Sequence, residues 1–488
     1  MKPVFLLILI LVPLLSGAGL CLVRSGNHHR TLSILTIIAT CATSVFAWSI
    51  LLTDIQGSLE LIRFTPNLVL LLKLDGIGRF FLGLIASLWP LTVLYAHSYM
   101  KKEEHLKLFY GFFTMTYAAT LGVALSGNLF TMYCFYEMLT LTTVPLVLQP
   151  MTREAVHAAR EYFIISLGGA AFAFASMVYL ISCGAGGLFR MGGYPTGDPY
   201  GHNVSLLFWL FGFLGFGVKA AIFPLHHWLP RASVAPTPVT ALLHAVAVVK
   251  AGAFALIRLT YYCFGTDLLR GTWAQTAAIL LTAFTIVYGS TIAVREGHWK
   301  RRLAYSTVAN LSYVAFGAML MTTAGLTASL MHMAAHACVK ILAFFCAGAV
   351  LRSSGRTMVC ELDGIGRKMP ITFVCFTLSS FALMGLPPFN GFVSKWYLLT
   401  AASETGGIGY IGAGALLLSA LLTAVYMLTA ARRAWFPDRG ADLTALDAVG
   451  EADAEMLVPI MILAAGTLVF GVFPGPILAA AQAIANGL

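Results

Sequence analysis

The chain has 488 residues, of which 59% are hydrophobic and 10% charged, against roughly 25% charged and 45 to 50% apolar residues in an ordinary soluble domain. That composition excludes a water-soluble enzyme and points to a polytopic membrane protein. The formal charge of +10 does not mark a nucleic-acid partner, because the basic residues sit in short loops between hydrophobic runs.

The N-terminal run MKPVFLLILILVPLLSGAGLC has the layout of a signal segment. Leu20 spoils the small-residue context before Cys21 and the apolar run reaches Val23, so it reads as an uncleaved first span. Crossing ~30 Å of hydrocarbon takes about 20 apolar residues. Candidate spans lie near 3–23, 32–54, 76–98, 108–127, 129–148, 162–186 and 204–223. The second half adds 238–260, 271–294, 303–323, 325–351, 370–403 with a break, 408–431 and 456–480. The expectation is an all-α polytopic membrane protein with about 14 transmembrane helices. The tight joins at Gly127-Asn128 and Gly325 could each hide one long bent helix. Polar stretches at 55–75 and 187–203 suit loops or surface hairpins. The acidic one at 432–455, with Asp438, Asp442, Asp447, Glu451, Asp453 and Glu455, reads as a solvated loop. The nine cysteines stand singly, so neither a disulfide framework nor an iron–sulfur cluster is expected.

Basic residues concentrate in the loops after odd-numbered spans: Arg24 and Arg30, Lys101 and Lys102, Arg153, Arg231, Lys300 to Arg302, Arg367, Arg432 and Arg439 among them. The other side holds fewer, including Lys2, Arg63, Lys73, Arg79, Arg258 and Arg270. This asymmetry places odd loops in the cytoplasm and both termini on the non-cytoplasmic side.

Lys219, Lys250, Lys340 and Lys395 fall within spans. A charge at the centre of a transmembrane helix costs roughly 2.5 to 3.5 kcal/mol on insertion scales, so such residues face a polar interior. At 1.5 Å per residue, Lys250 lies about 18 Å from a helix start near Pro238 and Lys340 about 22 Å from one near Gly325, too deep for snorkelling. Glu137, mid-span, has no opposite charge nearby in sequence, and Lys219 is its natural partner. A carboxylate near a buried lysine holds the lysine's proton, and withdrawing it releases that proton. A permanent salt bridge joining two helices is the plainer alternative.

Pro224 follows Lys219, and Pro387, Pro388 and Gly391 precede Lys395. Proline breaks helices, and two interrupted spans, 7 and 12, each beside a lysine, point to an ion pathway built on inverted repeats. Spans 4 to 8 and 9 to 13 would be those five-helix repeats. The chain then divides into 1–107 (spans 1 to 3), 108–260 (first channel repeat), 271–432 (second channel repeat) and 433–488 (acidic loop and last span). His332, His336 and Lys340 recur every four residues on one helix face, and His244 precedes Lys250 by less than two turns. Imidazoles so placed suit a proton relay; helix–helix hydrogen bonds or, less simply, a metal are the alternatives. His226 and His227 read as interfacial.

With Glu137, the stretch from Lys219 through PLHHWLP and PTPVTALLHA to Lys250, HMAAHACVK and GLPPFNGFVSKW assembled, the chain resembles the antiporter-like subunits shared by respiratory complex I, Mrp sodium/proton antiporters and membrane-bound energy-converting hydrogenases. The resemblance covers essentially all spans. His244 and Lys395 lean toward the compact Mrp or hydrogenase branch. It implies two offset half-channels joined at mid-depth by charged residues and water, with Glu137 and Lys219 as modulating pair, Lys250 central, and Lys340 and the histidines extending toward Lys395 at the exit. It also implies other antiporter-like and small hydrophobic partner subunits, a peripheral redox arm in some assemblies, and a bacterial or archaeal cytoplasmic membrane; the sequence shows no nucleotide, flavin, haem or quinone motif, so no cofactor is expected in this chain.

Three other readings compete. Na⁺ exchange against H⁺ would need hard oxygen ligands where the interior offers mostly lysine and histidine. A free-standing permease would cluster its charges in one site. A non-conducting scaffold protein would use them for packing alone.

Overall fold

The computed structural model describes residues 3–22, 29–53, 57–194, 199–438, 440 and 446–487. Lys2, Arg24, Arg439 and Asp442, which entered the charge readings above, lie outside them. Helices α1 (Val4–Leu22) and α2 (His29–Leu52) lead into an antiparallel hairpin of β1 (Ser58–Thr65) and β2 (Leu68–Lys73). The hairpin occupies the stretch expected to be loop or hairpin, and makes the fold mostly rather than wholly helical. Then come α3 (Gly76–Tyr99), α4 (Leu106–Ala124), α5 (Leu129–Leu148), α6 (Arg153–Ser182) and α7 (His202–Gly217). After a break, α8 (Trp228–Arg231) is a single turn, and α9 (Thr237–Ala245) and α10 (Val248–Ile257) make one crossing that ends in a π-helical turn, Arg258–Phe264. The rest is α11 (Thr266–Leu269), α12 (Trp273–Arg295), α13 (Trp299–Met319), α14 (Thr323–Ser354), α15 (Pro370–Met384), α16 (Asn390–Thr405), α17 (Ile408–Trp435), α18 (Ala454–Val472) and α19 (Gly475–Ala485). Among the described residues, ten helical segments are long and apolar enough to cross a membrane.

Both tight joins are true helix boundaries, because each new helix has its own cap. Asn128 Oδ1 accepts from the Thr131 amide at 2.8 Å, and Thr322 Oγ1 from the Gly325 amide at 3.0 Å. Small residues then bring helices into contact. A Cβ on Gly215 would meet the Ala173 nitrogen at 2.4 Å, so α6 and α7 touch backbone to backbone. One on Gly348 would strike Thr237 Cγ2 at 2.4 Å and Tyr95 Oη at 2.5 Å. That contact fixes α14 against α9 and α3, and with them the level of Lys340 relative to His244.

Several expectations are corrected. Arg258, Lys300 and Arg302, counted with the loop charges, are 0%, 8% and 7% exposed. The π-helical turn carries the crossing past residue 260, and α13 begins at Trp299, so all three enter the bundle. The crossing that carries Lys250 is itself interrupted: α9 stops at Ala245, with Val246 at φ −133°. Gly391 lies in the first turn of α16 and not in the break, where its missing side chain is needed because a Cβ would meet the Ala382 carbonyl oxygen at 1.8 Å. The acidic stretch is more than a solvated loop. Glu451 accepts from the Ile371 amide at 2.8 Å and from Thr372 Oγ1 at 2.5 Å, capping α15, while Asp453 accepts from Ser98 at 2.5 Å.

Candidate functional site: a buried line of lysines and histidines

Both expected breaks are present. Between α7 and α8 the chain runs through Lys219 and Pro224; between α15 and α16 it runs through Pro387 and Pro388. Pro224, Pro387 and Pro388 are exposed on the isolated chain; lacking an N–H, they leave no donor unpaired there. Break carbonyls find side-chain donors: Trp228 Nε1 donates to the Val218 carbonyl at 2.9 Å. Lys395 Nζ donates to the carbonyls of Leu383 at 2.5 Å and Met384 at 3.2 Å. These are the last carbonyls of α15, which no later turn can satisfy, and they form the negative end of its dipole.

Lys219 is wholly buried within its break. Its Nζ lies 3.7 Å from Glu137 Oε1 on α5, donates to the Tyr136 carbonyl, and sits 3.4 Å from the centre of the Tyr136 ring. A carboxylate, a carbonyl and a ring face thus replace its water. Gly252 on α10 makes this placement possible, because a Cβ there would meet the Ala220 nitrogen at 2.4 Å.

Lys250, also wholly buried, has its Nζ 2.7 Å from His336 Nδ1. On the same face of α14, the His332 and His336 rings are 6.1 Å apart, and His332 Nδ1 meets Ser394 Oγ on α16 at 2.9 Å. One residue further along α16 is Lys395, 5.3 Å from the Tyr313 ring. A cavity the size of about one water lies between His332, His336, Asn310 and Lys395. The Nε2 atoms of both histidines and Oδ1 of Asn310 are buried without a protein partner.

Lys340 turns aside. Its Nζ donates to Ser306 Oγ at 2.8 Å and to the Leu303 carbonyl at 3.0 Å, and Tyr426 Oη donates to the same serine at 2.7 Å. His244 is buried against Phe344, 4.8 Å between rings, with both nitrogens unpartnered. The structure therefore joins Glu137 with Lys219 and Lys250 with His336, and brings His332 and Lys395 to one cavity. It puts neither His244 nor Lys340 in hydrogen-bond contact with the rest of the line.

Three further polar groups of this interior are missed by the sequence pattern. His226 is fully buried between Phe223 and Tyr288, with both nitrogens unpartnered. Lys300 is held by the Ala235 carbonyl at 2.7 Å. Arg258 pairs with Asp75. Their signal is a polar residue inside or at the end of an apolar run; the spans drawn from hydropathy leave His226 and Lys300 outside, while Arg258, within the 238–260 span, is counted with the loop charges. Among the described residues, no group of three His, Cys, Asp or Glu side chains could hold a metal ion.

Comparison with known proteins agrees with this architecture. Residues 126–423 match the family described as NADH:quinone oxidoreductase/Mrp antiporter, TM. The chain is 34% identical over 427 residues to NADH-quinone oxidoreductase subunit N of Desulforudis audaxviator, covering 82% of each. It is 31% identical over 440 residues to a subunit of the Na(+)/H(+) antiporter of Alkalihalophilus pseudofirmus, covering 82% of this chain and 52% of that one, so it spans about half the length of that relative. These identities do not single out the Mrp branch toward which His244 and Lys395 lean. The fold superposes on a chain of the Mrp complex from Dietzia sp. with a TM-score of 0.86 at 21% identity, covering 99% of this chain and 97% of that one. The chain belongs to the NADH:quinone oxidoreductase/Mrp antiporter transmembrane family.

Proposed function

We propose that the chain is a proton-translocating subunit of a multisubunit membrane complex, passing protons from the Glu137–Lys219 pair through Lys250, His336 and His332 to Lys395, with His244 and Lys340 at its side. The observation that carries the reading is the 2.7 Å contact between Lys250 Nζ and His336 Nδ1. There an amine and an imidazole, each able to give or take a proton, meet where both residues are 2% exposed or less. The unpartnered imidazole nitrogens support hydration of the gaps, because buried polar atoms without protein partners are ordinarily met by water. Moving Glu137 relative to Lys219 would then change which group holds the proton.

The same proposal groups the helices as fourteen spans, with 108–260 and 271–432 as inverted repeats flanked by 1–107 and 433–488. Its support is that each repeat holds a broken crossing with a buried lysine at the break, Lys219 in one and Lys395 in the other. The loop charges favour both termini on the non-cytoplasmic side of a bacterial or archaeal cytoplasmic membrane. Other antiporter-like and small hydrophobic subunits would flank the chain, and any redox chemistry and its cofactors would belong to partners, including a peripheral arm.

The test is the purified complex reconstituted in vesicles with an internal pH dye. Lys250→Ala is expected to abolish proton movement while the partner subunits still co-purify. Retained proton movement sinks the relay, and loss of assembly alone supports a scaffold. A second reading, Na⁺/H⁺ exchange, draws on the 31% identity to an antiporter component; sodium uptake that needs Lys250 would favour it.

A further inference from the structure

Each lysine-bearing break is met by a glycine of another helix, and the two glycines come from different places. Gly252, which seats the first break, stands on α10 within the same repeat. The second break is met by Gly471, one residue before the end of α18 and outside both repeats as grouped above. A Cβ on Gly471 would lie 2.0 Å from the Pro388 carbonyl oxygen, 2.5 Å from the Phe389 carbonyl carbon and 2.6 Å from the Asn390 nitrogen. All three are backbone atoms, so no side-chain rotation relieves the contact. The last span and the break thus touch main chain to main chain.

The neighbours of α18 hold it there. It packs on α3, α14, α15 and α16, and α19, which follows at once, packs on α3 and α14 as well. At its other end Asp453 accepts from Ser98 at 2.5 Å and Glu455 from Lys101 at 2.8 Å. What the contact controls lies close by. Asn390 opens α16, and Lys395, in the second turn, donates across the break to the carbonyls of Leu383 at 2.5 Å and Met384 at 3.2 Å. Moving the Pro388 oxygen to an ordinary 3.4 Å from such a Cβ takes about 1.4 Å. A shift of that size at the start of α16 carries Lys395 off those carbonyls, since a hydrogen bond is lost beyond about 3.5 Å.

We propose that Gly471 is a positioning residue for proton transfer: through its bare backbone α18 holds the second break in place and keeps the Lys395 amine on the last carbonyls of α15. This rests on the reading of Lys395 as the last group of the relay. Lys395 remains the group that gives and takes the proton, and Gly471 acts only through it.

The test is the full complex in vesicles with an internal pH dye, flux being taken per assembled complex. Gly471→Ala is expected to lower proton flux by about 10²-fold, as a misplacement of about 1 Å can. Gly466→Ala, on the same helix where a Cβ meets only Phe470 Cε2 at 3.9 Å, should leave it unchanged. The carbonyls that Lys395 leaves also govern how firmly it holds its proton, so the flux–pH profile of Gly471→Ala should be displaced from that of the parent. Misfolding alone lowers flux by one factor at every pH and displaces nothing. Should Gly471→Ala not assemble, Ile460→Ala decides the matter: Ile460 is fully buried on α18, its truncation loosens that helix without adding an atom, and the same displacement is expected. Parent-like flux in Gly471→Ala, or a lowered flux with an undisplaced profile in either variant, would overturn the proposal. Lys395→Met tests the underlying reading separately. Full flux there sinks the relay through Lys395, whereas lost flux there beside parent-like flux in Gly471→Ala removes only the role of Gly471.

Discussion

Lys250 Nζ lies 2.7 Å from His336 Nδ1, so one hydrogen bond at the centre of the bundle ties α10 to α14. If protons pass through it, each partner is needed and neither substitutes for the other. Lys250→Met and His336→Phe are each expected to lower proton flux by about 10²-fold, a typical loss for a positioned acid–base group. The double variant should be no slower than the worse single one, because residues acting as one unit are not additive. Flux through reconstituted vesicles measures this, and independent, multiplying losses would separate the two residues into different paths.

The Glu137–Lys219 pair makes a different prediction. At 3.7 Å and an effective dielectric of 20, the two charges attract by about 4 kcal/mol, and by about half that at twice the distance. Removing one partner of a buried pair costs about 3–5 kcal/mol, whereas replacing both costs far less. Glu137 is 24% exposed, so Glu137→Gln should fall at the lower end of that range. Adding Lys219→Met should restore the unfolding midpoint without restoring proton flux. A double variant that recovers flux would reduce the pair to a strut.

Gly252 carries a steric prediction. A Cβ there meets the Ala220 nitrogen at 2.4 Å and the Lys219 carbonyl carbon at 2.7 Å, both backbone. Gly252→Ala should therefore push the break off α10, destabilising by about 1–3 kcal/mol as overpacking does, and draw Lys219 from its carboxylate. Gly414 on α17 has nothing within 4 Å of its Cβ position. Gly414→Ala should be neutral or stabilising by up to about 1 kcal/mol. Thermal unfolding of the two variants side by side is the check.

The four span lysines are legible in the sequence because a lysine inside an apolar run has no local reason to be there, and the breaks near Pro224 and Pro388 because proline punctuates a helix wherever it falls. The partners are not. Lys250 and His336 are 86 residues apart, and only the packing of α9, which continues into α10, on α14 brings them together. The interruption at Val246 and Ala247 contains neither proline nor glycine, so hydropathy runs through it unbroken. Arg258, inside the span drawn at 238–260, is counted with the loop charges because it lies near the span's end, and nothing in an apolar pattern announces the π-helical turn that follows. The acidic stretch reads as solvated since its partners, Ser98 and the first turn of α15, are far away in sequence.

Asp453 gives a pH dependence outside the membrane segments. The Ser98 hydroxyl donating to it, helped by the Lys101 ammonium, holds its carboxyl below the usual 3.8. A group whose folded value is depressed stabilises fully above its unfolded value and loses that contribution as pH falls through the folded one. The tie between α3 and α18 should therefore be constant from pH 7 to about 5 and weaken only below about 3.8. Ser98→Ala should lower the unfolding midpoint near neutrality and converge with the parent in strong acid. A difference that grows on acidification would contradict the assignment.

The Arg258–Asp75 pair separates charge from capping at a single residue. The guanidinium is fully buried among the rings of Phe189, Tyr262 and Phe254, at 4.5, 4.6 and 5.0 Å, and both oxygens of Asp75 accept from it, at 2.5 and 2.6 Å. Asp75 Oδ1 also accepts from the Gly78 amide at 3.0 Å, capping α3. Asp75→Asn keeps a good cap and removes only the charge, so its expected loss of about 3–5 kcal/mol reports the stranded guanidinium. Asp75→Ala loses the cap as well and should be worse by about 1 kcal/mol. Since Arg258 opens the π-helical turn that ends the crossing carrying Lys250, an asparagine variant as stable as the parent would mean that ring faces alone hold this helix in place, and the carboxylate could be dispensed with.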